Sequence, residues 1–165
     1  MSAEYVILVA LEDMATTGVV AAGAAHVALE KDASRIILLH ILDHHVVANG
    51  LAGIVGARTP VVETEEEGMA ILRFGEATIK AEYGAVDRPV PEMVRMLGDG
   101  RAGPTIAMAA GDVGATALVV GARRPHALGR LTHPDVADYL RRHANLPVHV
   151  VALQAEIKGA AAQSV

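Results

Sequence analysis

Short apolar runs recur along the chain and predict five strands. Tyr5 to Leu11 and Arg35 to Leu42 are almost unbroken aliphatic runs closed by acidic residues, which is typical of strands buried on both faces. Thr116 to Gly121 and Pro147 to Leu153 have the same character. Pro89 to Leu97 begins with two prolines in three residues and is predicted to be an edge strand, because proline cannot donate to a sheet ladder.

Stretches with apolar residues at helical spacing separate these strands. The first is alanine-rich and runs from Thr16 to Lys31, with Thr16 or Thr17 as the expected N-cap. The second opens with acidic residues, which favour the positive end of a helix dipole. The remaining predicted helices are Glu63 to Tyr83, Gly103 to Val113 and Thr132 to Ala144.

The element order β-α-β-α-β-α-β-α-β predicts one α/β domain over residues 1–153. Because βαβ crossovers are nearly always right-handed, we expect a doubly wound five-stranded parallel sheet in the order 3-2-1-4-5, with helices on both faces. Ligands in such a sheet bind at the carboxyl ends of the first and fourth strands. Residues 43–62 contain Gly50, Gly53, Gly56 and Pro60 and are predicted to be an irregular or mobile excursion. Residues 154–165 form a small, polar tail.

Composition excludes several classes of protein. Hydrophobic residues make up 52% of the chain and aromatic residues 2%, so aliphatic side chains must fill the core. The net charge is −5, without a basic tract, so nucleic acid is not an expected partner. The absence of cysteine rules out disulfides and thiolate chemistry, and it suits the cytoplasm. The N-terminal apolar run is far too short to span a membrane, so the protein is predicted to be soluble.

The C-terminal third resembles a known family. Val119 to Val151 reads VVGARRPHALGRLTHPDVADYLRRHANLPVHVV, and this segment resembles the C-terminal signature of universal stress proteins. Arg142 to Val151 matches the family's closing helix end and Pro-Val-x-Val-Val strand, and Ile37 to Asp43 resembles its second strand. The resemblance covers nearly the whole chain and implies the adenine nucleotide alpha hydrolase-like fold.

The nucleotide loop of that family is altered in this chain. Members that bind ATP carry glycine, two residues, glycine, nine residues, then glycine followed by serine or threonine. Starting from Gly121, the second glycine is replaced by Arg124 and the final pair by Pro134 and Asp135. Glycines let backbone amides approach a phosphate closely, which arginine and proline do not. The positions that match the family's nucleotide site are Ala10, Glu12, Ile41, Gly121, Arg123, Arg124, Pro134 and Asp135.

A carboxylate at the last helix suggests that the anion site is already filled. Asp135 would occupy the helix N-terminus where phosphates accept backbone N–H bonds, with Thr132 as the predicted N-cap. We therefore expect a regulatory or interaction protein without the family's usual ATP binding and without a cofactor. The resemblance implies a homodimer through Pro147 to Leu153, and a further protein partner is left open. The alternative is an ATP- or AMP-binding member, or a slow ATPase, that uses Arg123, Arg124 and Glu12.

Other chemistry has little support in the sequence. Eight histidines raise the question of a metal, but the adjacent pair His44 and His45 lacks a nearby carboxylate cluster. His40 lies inside an apolar run and is predicted to be a hydrogen-bonded interior residue. No serine or cysteine nucleophile falls in these motifs, so no catalytic residue and no metal ligand are assigned. An enzyme that depends on histidine or metal remains a third hypothesis.

Overall fold

A computed structural model describes residues 4–48, 58–123 and 135–153. Within these ranges the elements follow in the order β1 (Val6–Leu11), α1 (Met14–Lys31), β2 (Arg35–Ile41), β3 (His44–Ala48), β4 (Arg58–Val62), α2 (Glu65–Ala85), β5 (Glu92–Gly98), α3 (Ala102–Asp112), β6 (Ala117–Arg123), α4 (Val136–His143) and β7 (Val148–Leu153). Every strand and helix that the sequence predicts has a counterpart among them.

Five of the strands form one parallel sheet in the order β5-β2-β1-β6-β7. Counted without β3 and β4, this is the predicted order 3-2-1-4-5. In the register, Val6 lies opposite Arg35 and Ile7 opposite Ala117, so β1 is central. β5 and β7 are the edge strands, as predicted from the prolines before β5 and from the position of the last strand. The carboxyl ends of β1, β2 and β6 therefore meet at one edge of the sheet.

Helices cover both faces and bury alternate residues of each strand. Ile7, Val9 and Leu11 pack with α1 and α2 on one face, and Val6 and Leu8 pack with α3 and α4 on the other. All five of these strand residues are buried, and Ile7, Leu8 and Val9 have no exposed surface. Burial on both faces explains why β1 reads as a continuous apolar run.

The N-cap of the first helix is not the predicted residue. α1 begins at Met14, and its N-cap is Asp13, whose carboxylate accepts the Thr16 N–H at 2.8 Å. The prediction of Thr16 or Thr17 as the cap was wrong, because the helix already begins at Met14 and the Asp13 carboxylate accepts a free amide of its first turn. Both threonine hydroxyls instead donate back to Asp13. α2 begins at Glu65 with Thr64 as its N-cap.

α4 also begins later than predicted. It starts at Val136 with Asp135 as N-cap, so Asp135 is not inside the first turn of a helix capped by Thr132. Thr132 itself lies outside the described residues. The tail of residues 154–165 lies outside them as well.

A two-stranded antiparallel ribbon forms where the sequence predicts an irregular excursion. β3 pairs with β4, with His44 opposite Val62 and Val46 opposite Pro60. The prediction was wrong for these two flanks, because short β-branched runs at Val46 and Val61 support strand pairing despite the nearby glycines. Residues 49–57 between them lie outside the described residues.

In the described ranges, no helix combines the length and the apolar character that crossing a membrane requires.

Candidate functional site

Residues from three strand ends meet at the carboxyl edge of the sheet. Ala10 lies opposite Leu39 of β2 and Val120 of β6, which places it between the two neighbouring strands. Glu12 follows β1 directly and is exposed, and Ile41 is the last residue of β2. Ala10 and Ile41 both pack against the apolar cluster on the α3 and α4 face. The structure thus brings three of the predicted site positions to the expected edge.

Gly121 has a packing role in β6. It lies opposite Val151 of β7, and a Cβ atom at this position would come within 2.8 Å of Val20 Cγ2 and 3.0 Å of Leu153 Cδ1. Such distances leave no room for a Cβ atom unless the Val20 and Leu153 side chains shift. Close packing of Val20 and Leu153 therefore favours glycine here, independently of any ligand.

Asp135 caps the last helix with its own side chain. Its carboxylate accepts the Ala137 N–H at 3.0 Å, and Asp138 adds a second negative charge in the first turn. The basic side chains Arg141, Arg142 and His143 lie in the last turn. This charge order matches the helix dipole, so the start of α4 is stabilised without a bound anion.

The remaining predicted positions are only partly described. Arg123 is the last residue of β6. Arg124 and Pro134 lie outside the described residues.

A cleft with many carboxylates opens at the same edge, on the α1 and α2 side. It has a volume of about 500 Å³. We call it the acidic cleft, and its lining residues are Glu12, Asp13, Met14, Asp43, Val62, Glu63, Glu67, Ala70 and Ile71. Sequence reasoning identified Glu12 but missed the contributions of Asp43 and Glu63, although each follows a predicted strand or precedes a helix.

A buried histidine organises one wall of the acidic cleft. His40 has only 1% of its side chain exposed, its Nδ1 lies 2.8 Å from Leu11 O, and its Nε2 lies 2.9 Å from Glu63 Oε2. Since a carbonyl oxygen can only accept, Nδ1 donates to Leu11 O. The same Glu63 oxygen accepts the Asp43 N–H at 2.9 Å. The prediction of a hydrogen-bonded interior His40 is confirmed.

Glu67 is fixed by the start of α2. Thr64 and Glu67 form a capping box, in which the Thr64 backbone N–H and hydroxyl both donate to the Glu67 carboxylate. These bonds lower the pKa of Glu67, the backbone bond contributing most. The carboxylate is held ionised at the mouth of the cleft.

The carboxylates of the described ranges do not converge on a single point. Among these residues, no group of three or more histidine, aspartate or glutamate side chains is arranged to hold a metal ion. Within the described ranges, the lining of the acidic cleft therefore combines separate carboxylates with apolar side chains.

Comparison with known proteins decides the family. The model of the universal stress protein family matches residues 6–152. The chain belongs to the universal stress protein family. A comparison with curated protein sequences yields no significant match.

Solved structures of other universal stress proteins share the fold. One from Archaeoglobus fulgidus is 20% identical, covers 90% of this chain and 98% of its own, and has a TM-score of 0.60. A universal stress protein in complex with cAMP is 18% identical, with coverages of 92% and 98% and a TM-score of 0.61. A third, from Arabidopsis thaliana with AMP bound, is 17% identical, with coverages of 95% and 97% and a TM-score of 0.53. At these identities the likeness establishes the fold alone.

Proposed function

We propose that this universal stress protein is a regulatory or interaction protein that acts as a homodimer and does not bind ATP through a glycine-rich loop. One observation carries the proposal. The Asp135 carboxylate accepts the Ala137 N–H at the start of α4. A helix N-terminus attracts anions through its free amides, and here a side chain already uses one of them. The protein would work in the cytoplasm, as its cysteine-free sequence suggests.

Charge around the carboxyl edge supports the same conclusion. A triphosphate placed beside α4 would meet Asp135 and Asp138, and repulsion between like charges opposes its binding. The sequence offers Arg124 and Pro134 where the family's loop has glycines, and neither lets an amide approach a phosphate closely. The residues of this chain do not fit the family's mode of nucleotide binding.

Isothermal titration with ATP, ADP and AMP, each with and without magnesium, tests the proposal. We expect dissociation constants weaker than about 1 mM, equivalent to less than about 4 kcal/mol of binding free energy. A dissociation constant in the low micromolar range would reject the proposal.

The homodimer is proposed to form through β7. This strand lies at the edge of the sheet, and an apolar edge strand with free N–H and C=O groups is normally covered or paired. Pro147 O accepts the Leu118 N–H, so the backbone groups of Pro147 point toward β6. Because successive residues of a strand point their backbone groups to opposite sides, the N–H of Val150, three residues later, points away from β6 toward the open edge. Pairing with a second copy would satisfy these outward groups in an isologous interface.

Val150→Pro is expected to convert the dimer to a monomer. Proline removes one outward N–H and leaves the bonds between β6 and β7 in place, so the subunit keeps its fold. Light scattering coupled to size-exclusion chromatography measures the mass of both proteins, and circular dichroism checks that the variant is folded. A monomeric wild-type protein, or a folded variant that stays dimeric, would contradict the assignment.

The alternative function is nucleotide binding, with or without slow ATP hydrolysis, through Arg123, Arg124 and Glu12 in a rearranged loop. The structures of other family members in complex with cAMP and with AMP favour it. Arginine makes bidentate bonds to phosphate, so changing both arginines to alanine should then abolish binding. An affinity that the double change leaves unaltered would count against this role.

A further inference from the structure

His149 carries a buried ring nitrogen that no described residue bonds. Its Nε2 atom is buried and has no hydrogen-bond partner within the part of the chain that the structure describes. The residue as a whole is half-buried, so the ring is neither a core side chain nor a freely solvated one. Buried polar atoms in folded proteins nearly always have a partner. A histidine in this position is therefore sensitive to a change in its own charge.

His149 lies on an edge strand, on the face that α1 covers. Val151 and Leu153 pack with the apolar cluster of α1 and α2, and Val148 and Val150 pack with the cluster on the opposite face. Because side chains alternate along a strand, that of His149 points to the α1 side. β7 pairs with β6 and forms one edge of the sheet. The β6 residues on the same face are uncharged: Ala117, Val119 and Gly121.

α1 lies close over this part of β7. Gly23 has no side chain, and a Cβ atom there would lie 2.5 Å from Val151 Cγ2. Two turns further along α1, the pKa of Glu30 is lowered, chiefly by its hydrogen bond with Lys31 and to a smaller extent by the charge that His149 can carry. Lys31 Nζ lies 2.9 Å from Glu30 Oε1. The charged groups of α1 next to His149 are thus a carboxylate and the lysine that pairs with it.

Protonation changes the hydrogen bonds that the His149 ring requires. A neutral imidazole can hold its proton on Nδ1 and leave Nε2 as an unused acceptor, whereas the charged ring donates from both nitrogens. A buried N–H without an acceptor is unfavourable, so the charged ring must turn Nε2 toward an acceptor. Glu30 is already bonded to Lys31, whereas the open edge of the sheet gives direct access to water. The charged ring therefore needs the surface that a second copy of β7 would cover.

We propose that His149 makes the pairing of β7 with a second copy of this chain dependent on pH, because the interface accepts the neutral ring and excludes the charged one. In an antiparallel pairing centred on Val150, His149 lies opposite the partner's Val151 and diagonal to the partner's His149, at a distance of about 7–8 Å. Pairing removes water from both rings, and two positive charges at this separation repel each other. This inference rests on the proposed homodimer and adds its regulation.

Acid should favour the monomer. Dissociation returns both rings to water, so the monomer binds protons more readily than the dimer does, and a fall in pH shifts the equilibrium toward the monomer. Histidine gains its charge between about pH 8 and pH 5. Each subunit contributes one His149, so up to two protons are taken up per dimer that dissociates. The dissociation constant can then rise by up to about 100-fold for each pH unit.

Sedimentation velocity of the full chain at about pH 7.5 and about pH 5.5, at constant ionic strength, tests the inference. We expect a dimer at the higher pH, a dissociation constant at least about tenfold higher at the lower pH, and unchanged far-UV circular dichroism. A dimer with the same dissociation constant at both pH values would overturn this inference and leave the homodimer standing. A monomer at the higher pH would reject the homodimer and this inference with it. Loss of the circular dichroism signal at the lower pH would show acid unfolding, which also overturns the inference.

Substitutions at His149 and a control at His26 assign the effect to one residue. His149→Phe keeps a ring and His149→Gln keeps a polar side chain, but neither can gain a proton. Both proteins should dimerise with dissociation constants that differ by less than about twofold between the two pH values. The control is His26→Gln, which removes an exposed histidine of α1 that pairs with Glu82 of α2, and it should keep the wild-type dependence on pH. A dependence on pH that persists in both His149 variants, or loss of the dimer in both at the higher pH, would refute the proposal.

Discussion

We expect the His40→Ala variant to lose about 2–4 kcal/mol of unfolding free energy. The change removes a ring that is buried against α2, where a Cβ atom on Gly68 would lie 3.0 Å from His40 Cδ2. It also deletes the bonds to Leu11 O and Glu63 Oε2. The cost thus combines a cavity with the loss of a polar connection between β1, β2 and the residues before α2. Urea unfolding followed by circular dichroism measures it.

His26→Ala is the matched control for this prediction. His26 is 72% exposed and pairs with Glu82 at 3.4 Å on the surface. Such pairs contribute little, so the control should change the unfolding free energy by no more than about 0.5 kcal/mol. If the two histidine variants had the same unfolding free energy, the hydrogen bonds and packing of His40 would not contribute measurably to stability.

Gly121→Ala is expected to destabilise the fold by about 1–3 kcal/mol. The new methyl group would lie 2.8 Å from Val20 Cγ2 and 3.0 Å from Leu153 Cδ1, so these side chains must shift to admit it. The effect is predicted in the absence of any nucleotide, because its cause is packing. The same urea unfolding experiment measures the difference.

Gly84→Ala provides the comparison in α2. A Cβ atom at Gly84 has no neighbour within 4 Å, and alanine is the better helix former. This variant should be unchanged or more stable by up to about 1 kcal/mol. A Gly121→Ala protein as stable as the Gly84→Ala protein would show that Gly121 is not retained for packing.

The sheet could be predicted from the sequence because each strand is marked by a short apolar run and because few strand orders are possible for such a series of elements. The aliphatic runs at β1 and β2 would expose apolar side chains to water unless both faces of the strands were buried. The right-handedness of βαβ units then limits the strand order. The prolines before β5 indicated an edge strand, because proline has no N–H to donate to a neighbouring strand. These features depend on residues that are close together in the chain.

The caps and the ribbon were harder to predict. Aspartate and threonine are both good N-caps, so the sequence around Asp13 and Thr16 allowed two starts for α1, and only the backbone geometry selects Asp13. β3 and β4 are separated by a segment rich in glycine, which concealed their pairing.

The candidate site was predicted in part. Strand ends placed Ala10, Glu12 and Ile41 at one edge, but the acidic cleft depends on contacts between distant residues. His40 and Glu63 are 23 positions apart in the chain, and no motif links them. Gly121 matched the family's loop, yet its close contacts are with Val20 and Leu153. A motif alone does not distinguish a glycine required for packing from one required for phosphate binding.

A crystal structure of the protein grown with ATP and magnesium tests the central claim most directly. The account predicts that the Asp135 carboxylate still accepts the Ala137 N–H and that no phosphoryl group lies against the start of α4. Phosphate oxygens within hydrogen-bonding distance of the Val136 and Ala137 amides, with the Asp135 side chain displaced, would contradict it.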